Sequence, residues 1–120
     1  MHQAYYLSTC DTCKKIKKNL PQNAFRWQDI KSEPLTAPEL EMLSKKAGSY
    51  EALFSRNSRL YKSMGLKDQN LTESDYKKYL LEHYTFLKRP VFVVGDAIFI
   101  GNRAQTIEAL TKALAKKADF

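Results

Sequence analysis

Ala4-Tyr5-Tyr6-Leu7-Ser8-Thr9-Cys10-Asp11-Thr12-Cys13-Lys14-Lys15-Ile16-Lys17-Lys18 holds both cysteines of the 120-residue chain. A short apolar run, Ala4 to Leu7, stops at Ser8-Thr9, and a lysine-rich segment with helical spacing follows the Cys-x-x-Cys. The pattern predicts a β-strand, a tight turn and a helix whose first turn carries the thiols. That placement has a chemical consequence. A helix N-terminus presents unpaired N–H groups and the positive end of the macrodipole. A thiolate there is stabilised, so the sulfur becomes nucleophilic near neutral pH, and the same N–H groups attract anions. Cys10 sits where the effect is strongest. Cys13, one turn deeper, is placed to attack a mixed disulfide or other adduct on Cys10. Asp11 works against thiolate formation, and Lys14 and Lys15 oppose it.

Other uses of the pair fit less well. A structural bridge closing so short a loop constrains little. A zinc site needs about four ligands, and His2 and His83 have no suitable local spacing, so no metal is expected. Two inert cysteines remain the alternative to redox or nucleophilic chemistry.

Composition bounds the rest. With 28% charged and 43% hydrophobic residues the chain reads as an ordinary globular protein, long enough for one domain with its own core. No run approaches the ~18 apolar residues of a membrane span. The N-terminus has no signal-peptide pattern, so a cytoplasmic location is expected, where a Cys-x-x-Cys is more often catalytic than structural. The net charge of +7 admits anionic substrates, nucleic acid or an acidic partner. No nucleic-acid motif stands out, and the scattered lysines read as solvated surface.

Taken in order, His2–Leu7 is strand one and Asp11–Asn19 helix one, with Cys13, Ile16 and Leu20 inward; Pro21 ends it. Ala24–Ile30 alternates as strand two, with Trp27 a core residue. Ser32-Glu33-Pro34 links to a capping box, Thr36 to Glu39, that opens a helix stopped by Gly48. Ser49 can cap a further helix through Leu53 and Phe54. The apolar pattern breaks at Arg56–Arg59, resumes around Leu60–Leu66, and continues in a helix opened by Thr72-Glu-Ser-Asp75. His83 is given no role. Val91–Val94 and Ile98–Ile100 then flank a Gly95-Asp96 hairpin turn. Gly101 breaks the second of these strands, and Asn102, with Gln105, caps a last helix through Ile107, Leu110 and Leu114, its final residues frayed. The order is β-α-β, a helical segment, then β-β-α: an α/β thioredoxin-like core at 1–34 and 84–120, with a four-stranded mixed sheet flanked by helices, and an all-helical insertion at 35–83. In such a core the proline before strand three, here Pro90 after Arg89, is expected to be cis.

Several segments coincide in one known pattern: Tyr6-Leu-Ser-Thr-Cys-Asp-Thr-Cys-Lys-Lys, Asp29-Ile-Lys-Ser-Glu-Pro, Arg56 ahead of Tyr61-Lys-Ser-Met-Gly-Leu, and Leu87-Lys-Arg-Pro-Val. In this order and spacing they resemble the ArsC family of glutaredoxin-dependent arsenate reductases and Spx-type redox regulators of RNA polymerase, over nearly the whole chain. The resemblance implies Cys10 as nucleophile, Arg89 as an oxyanion-binding arginine, and Arg56, or alternatively Arg59, near a second. Arg103 is offset from a third, where the ungapped match is Asn102. Tyr6 stands where arsenate reductases carry a histidine. The resemblance also implies a small oxyanion or thiol substrate, no bound cofactor, and glutathione with glutaredoxin as reductant. Cys13 would resolve the intermediate internally. The alternative is an Spx-like regulator that binds the RNA polymerase α subunit and uses Cys10–Cys13 as a sensor disulfide. Neither reading involves a membrane or direct nucleic-acid binding.

Overall fold

Strand β1 (His2–Tyr6) lies inside a four-stranded sheet of order β2-β1-β3-β4 in the computed structural model, which describes residues 2–118. The fraying expected at the C-terminus falls on Asp119 and Phe120, outside the described residues. β2 (Phe25–Asp29) runs parallel to β1, with His2 opposite Phe25 and Tyr6 opposite Asp29. Parallel neighbours cannot be joined by a hairpin and need a crossover. Helix α1 (Asp11–Lys18) supplies it. β3 (Val91–Val94) pairs antiparallel with β1, and β4 (Ala97–Ile100) antiparallel with β3. Gly95-Asp96 joins them with Val94 facing Ala97; Gly95, at φ 61°, takes the left-handed conformation that a two-residue hairpin demands. The sheet is therefore mixed, as the element order predicts.

α5 (Ala104–Ala118) follows β4. Asn102 does not cap it. The first helical hydrogen bond runs from the Ile107 N–H to the Arg103 carbonyl at 3.1 Å, so Arg103 holds the cap position. The turn out of β4 takes one residue more than the sequence pattern implies. The face of the sheet carrying Ala4, Phe25, Phe92 and Val94 buries these side chains with Leu20 and Leu110, and Ile16, Trp27, Ile107 and Leu114 pack around them. Period-two alternation in the strands and 3.6-residue spacing in α1 and α5 thus converge on one core. The alternation also puts Gln28 on the opposite face, buried, where its amide accepts from Gln3 and donates to the Glu33 carbonyl at 3.0 Å. Satisfying both ends of the amide is what makes its burial tolerable.

The chain divides into two units. One comprises the residues up to Glu33 and from Arg89 onward; the other is Pro34–Lys88. The second unit holds α2 (Ala37–Ala47), α3 (Arg59–Ser63) and α4 (Glu73–Glu82), linked by single 3₁₀ turns. The capping box at Thr36 and Glu39 is formed, and Thr72 with Asp75 makes a second. Gly48, left-handed at φ 98°, ends α2. Ser49 accepts from the Ala52 amide, but only the 3₁₀ turn Glu51–Leu53 follows and not the expected helix. Phe54 is the hub of this unit: fully buried, it stacks on Phe86 with centroids 5.3 Å apart and tilts against Tyr76 at 4.9 Å. The unit extends past the expected boundary at 83 because the chain returns to Phe54. Leu87 bridges Phe54, the Ser55 N–H donates to the Phe86 carbonyl, and the Lys88 N–H donates to Leu53 at 2.8 Å.

Candidate active site: a thiol pair at a helix start

β1 delivers the chain to the thiols. The Cys10 N–H donates to the Leu7 carbonyl at 3.0 Å, closing a turn over Ser8-Thr9. Cys10 is the N-cap of α1 in extended conformation, and its carbonyl receives the first helical bond from the Lys14 N–H at 3.1 Å. Three residues on, Cys13 has turned into the protein and is 1% exposed, whereas Cys10 is partly open to solvent. Both are free thiols.

Arg89 reaches the pair by way of β3. Val91 sits opposite Tyr5 in the antiparallel ladder, so the two residues before it run alongside the end of β1, where the thiol turn begins. The Arg89–Pro90 peptide bond is cis. Pro90 is buried and accepts from the Gly101 N–H at 2.9 Å, which ties this loop to the end of β4. The Arg89 charge acts on both sulfurs.

The two thiols are driven apart electrostatically. Burial opposes ionisation of Cys10, but hydrogen bonding from the backbone and thiol of Cys13, the Thr12 amide and the Arg89 charge outweigh it and hold Cys10 below the ordinary thiol range. No oxygen or nitrogen side chain caps α1, so the amides of its first turn are left to the sulfur. Cys13 moves the other way. Burial pushes it up to about 11, the bond it gives to Cys10 and the Cys10 charge add to this, and a backbone hydrogen bond from Leu7 and the Arg89 charge only partly offset it. The arrangement is one thiolate-prone, accessible sulfur with a protonated, sheltered sulfur hydrogen-bonded behind it.

Asp29 shapes the same turn, a role that strand alternation did not reveal. At the end of β2 it accepts from the Ser8 hydroxyl at 2.7 Å and the Ser8 N–H at 3.2 Å, and also from the Lys31 amide and the Ser32 hydroxyl. Partial burial works against its charge, yet these donors hold the carboxyl below the usual range. The available signal was Asp29-Ile30-Lys31-Ser32 at a strand end, an aspartate placed to bond the backbone two residues on as in an Asx-type turn.

The other arginines are placed differently. Arg56 belongs to the helical unit, where it donates to Glu51 at 2.6 Å and to the Tyr76 hydroxyl at 3.0 Å. It lines a cleft of about 450 Å³ with Tyr61, Lys62 and Lys67. Arg59 is exposed at the start of α3. Arg103 is exposed before α5, and among the described residues its side chain makes no hydrogen bond or ion pair. His83 is a cap: its Nδ1 accepts from the Thr85 N–H at 3.1 Å. Ser58, within the stretch that breaks the apolar pattern, is buried and accepts from the Leu60 and Tyr61 amides to start α3. Among the described residues no group of three His, Cys, Asp or Glu side chains converges as a metal site would require, and no helix is long and apolar enough to cross a membrane.

Comparison with known proteins gives a consistent picture. The ArsC family model matches residues 5–110. The global transcriptional regulator Spx 2 of Lactococcus lactis is 25% identical over 108 residues, covering 88% of this chain and 82% of that protein. The arsenate reductase of Haemophilus influenzae is 30% identical over 71 residues, covering 58% of this chain and 61% of that protein. Among solved structures, an ArsC-family-related protein from Bacteroides fragilis superposes with a TM-score of 0.76 at 24% identity, covering 91% of this chain and 96% of that one.

Proposed function

Because the chain belongs to the ArsC family, we propose that it is a thiol oxidoreductase of the arsenate-reductase type, with Cys10 as nucleophile and Cys13 as resolving thiol. The observation that carries this reading is the asymmetry of the pair: Cys10 held low and partly exposed, Cys13 held high and buried against it. A nucleophile must be ionised and reachable; a resolving thiol must stay protonated until the adduct forms.

With arsenate the atoms balance in two steps. Cys10–SH and hydrogen arsenate give a Cys10–S–AsO₃²⁻ adduct and water. The Cys13 sulfur then attacks Cys10 Sγ as the S–As bond breaks. The electron pair of that bond leaves with arsenic as arsenite, which takes the Cys13 proton, and a Cys10–Cys13 disulfide remains. Two molecules of a small thiol such as glutathione, directly or through glutaredoxin, reduce the disulfide and leave as their own disulfide. Arg89 and the first-turn amides offset the repulsion between a thiolate and an oxyanion. Bond formation at Cys10 Sγ removes the thiolate charge that opposes Cys13 ionisation, while burial, the larger cause, remains.

The test is arsenate reduction with glutathione and glutaredoxin, wild type against Cys10→Ser. Turnover by the wild type that the serine variant loses supports the reading; no arsenite from the wild type overturns it.

A second reading is favoured by the same buried partner thiol and by the relatives named Spx: the pair is a sensor disulfide in a regulator that docks on the RNA polymerase α subunit. Co-purification with that subunit, changed by oxidation, together with no arsenate turnover, selects it.

A further inference from the structure

Tyr61-Lys62-Ser63-Met64-Gly65-Leu66-Lys67-Asp68 places a lysine directly after each of two buried anchors, with a glycine between them. The anchors are Tyr61 and Leu66, 8% and 1% exposed. α3 ends at Ser63, Gly65 turns left-handed at φ 66°, and the 3₁₀ turn Leu66–Asp68 follows. This reversal brings Lys62 and Lys67 to one cleft, the space of about 450 Å³ that Arg56, Tyr61 and Asp68 also line. Its volume lies within the ~300–1,000 Å³ of small-molecule sites. All of these residues belong to the helical unit, and the thiol chemistry uses none of Tyr61, Lys62, Lys67 and Asp68.

Tyr61 points to a ligand. Its ring meets Phe54 edge to face at 6.0 Å, and its amide donates to the Ser58 hydroxyl. The residue is more than nine-tenths buried, yet among the described residues its own hydroxyl has no hydrogen-bond partner. That oxygen is not enclosed in the core, so it lies at the open part of the residue, on the cleft wall. A buried tyrosine hydroxyl ordinarily has a partner; here one has to come from inside the cleft. The charges around it are also unanswered. Among the described residues no carboxylate pairs with Lys62 or Lys67, and the Asp68 side chain makes no hydrogen bond or ion pair. Arg56 differs: its Nη2 is held by Glu51 at 2.6 Å and by the Tyr76 hydroxyl at 3.0 Å, which makes it a fixed wall.

We propose that this cleft binds a small phosphate monoester with a hydroxyl-bearing body, its phosphate between Lys62 and Lys67 and its hydroxyls toward Asp68. A phosphate ester carries about −1.5 to −2 charges at neutral pH and three strong acceptor oxygens. The two ammonium groups match that charge, and the Tyr61 hydroxyl donates to one of the oxygens. A monocarboxylate would leave one ammonium unanswered. A bare phosphate would leave most of the cleft empty and Asp68 unused, whereas ligand hydroxyls give that carboxylate the donors it lacks. The Lys62 and Lys67 ammonium groups are compact charges on flexible stems, suited to closing on a phosphate rather than to holding it in a rigid fork. The site is independent of Cys10 and stands whether the thiol pair serves as an enzyme or as a sensor.

The test is a titration of the full chain with ribose 5-phosphate, followed by amide NMR shifts. Saturable binding is expected, with shifts at Lys62, Gly65, Lys67 and Asp68 and weakening as salt rises. Ribose, which has no phosphate, should not bind, and inorganic phosphate should bind the same residues more weakly. A Lys62→Gln/Lys67→Gln variant loses two surface-strength charge contacts, so its binding should be roughly tenfold weaker. Tyr61→Phe keeps the buried ring and removes only the hydroxyl; it should bind roughly threefold to tenfold more weakly, the worth of one hydrogen bond, with no loss in melting temperature. No saturation, equal affinity in the double lysine variant, or inorganic phosphate as tight as the ester overturns the proposal. So do shifts confined to the turn around Cys10, which would mean that the ester is taken only as an oxyanion at the thiol site.

Discussion

Alkylation at neutral pH tests the asymmetry of the thiol pair directly. An ordinary thiol of pKa about 8.5 is about 3% thiolate at pH 7. Cys13, pushed up to about 11, is about 0.01% thiolate at the same pH, some 300-fold less. Cys10 lies on the other side of the ordinary value, so thiolate supply alone favours it by more than this factor, and burial of the Cys13 sulfur widens the gap. Iodoacetamide in excess at pH 7, quenched at intervals and read by peptide mass spectrometry, should label Cys10 at least ~100-fold faster, and guanidinium should erase the difference. Cys10→Ser sharpens the test. It removes the Cys10 charge, one of the causes that hold Cys13 up, while burial, the largest, remains. Cys13 should therefore titrate lower than in the wild type and still above an ordinary thiol. Labelling of the two cysteines within tenfold of each other in the folded wild type, or Cys13 unmoved in the variant, would refute the electrostatic argument.

Four further outcomes follow from the same geometry. Mild peroxide should give a monomer lighter by two hydrogens by mass spectrometry, the Cys10–Cys13 disulfide; only intermolecular dimers or a lone sulfenic acid would count against it. Arg89→Ala should raise the Cys10 pKa and slow its alkylation at pH 7, and should weaken sulfate binding with little change in melting temperature, because the Arg89 charge favours the thiolate; an unchanged pH–rate profile would remove Arg89 from the site. Stability should fall as pH rises from about 8.5 to about 11, since there the unfolded chain has lost the Cys13 proton that the folded protein keeps. Denaturant titrations of Cys13→Ala should show a flatter dependence across that window, and an equal slope would contradict the assignment. Phe54→Ala, at the centre of the aromatic cluster of the helical unit, should cost about 3–5 kcal/mol in urea unfolding, and a loss below ~1 kcal/mol would mean the cluster is not a packed core.

The sheet and its flanking helices were legible because their signals are local and periodic. Ala4, Phe25, Phe92 and Val94 alternate out of short strands, Ile16 and Leu110 recur at helical spacing, and all meet in one core. The Gly95-Asp96 turn and the Thr36–Glu39 capping box carry their mechanisms in the residues themselves. What the sequence did not disclose depends on contacts between distant segments. Ser58 reads as a polar interruption until Thr85, twenty-seven residues on, hydrogen-bonds it and its own hydroxyl starts α3. The helical unit runs to Lys88 because the backbone of Leu53–Ser55 pairs with that of Phe86–Lys88. Neither fact has a local signature.

The thiol site shows the same division. Strand, turn and helix start placed Cys10 and Cys13 from spacing alone, and a lowered Cys10 follows from the helix terminus. The opposite displacement of Cys13 does not follow from spacing. It arises from burial three residues into the helix, which depends on Ile16 and Leu20 anchoring the same face in the core. Asp29 adds a second layer: its bonds to the Ser8 hydroxyl and amide hold the entry to the turn, and they exist because β2 runs parallel to β1 with Asp29 opposite Tyr6. A one-residue slip in that register would turn Asp29 to the other face of the sheet and leave Ser8 without its acceptor. The reactivity of Cys10 is thus coupled to the register of a strand whose own sequence contains no thiol.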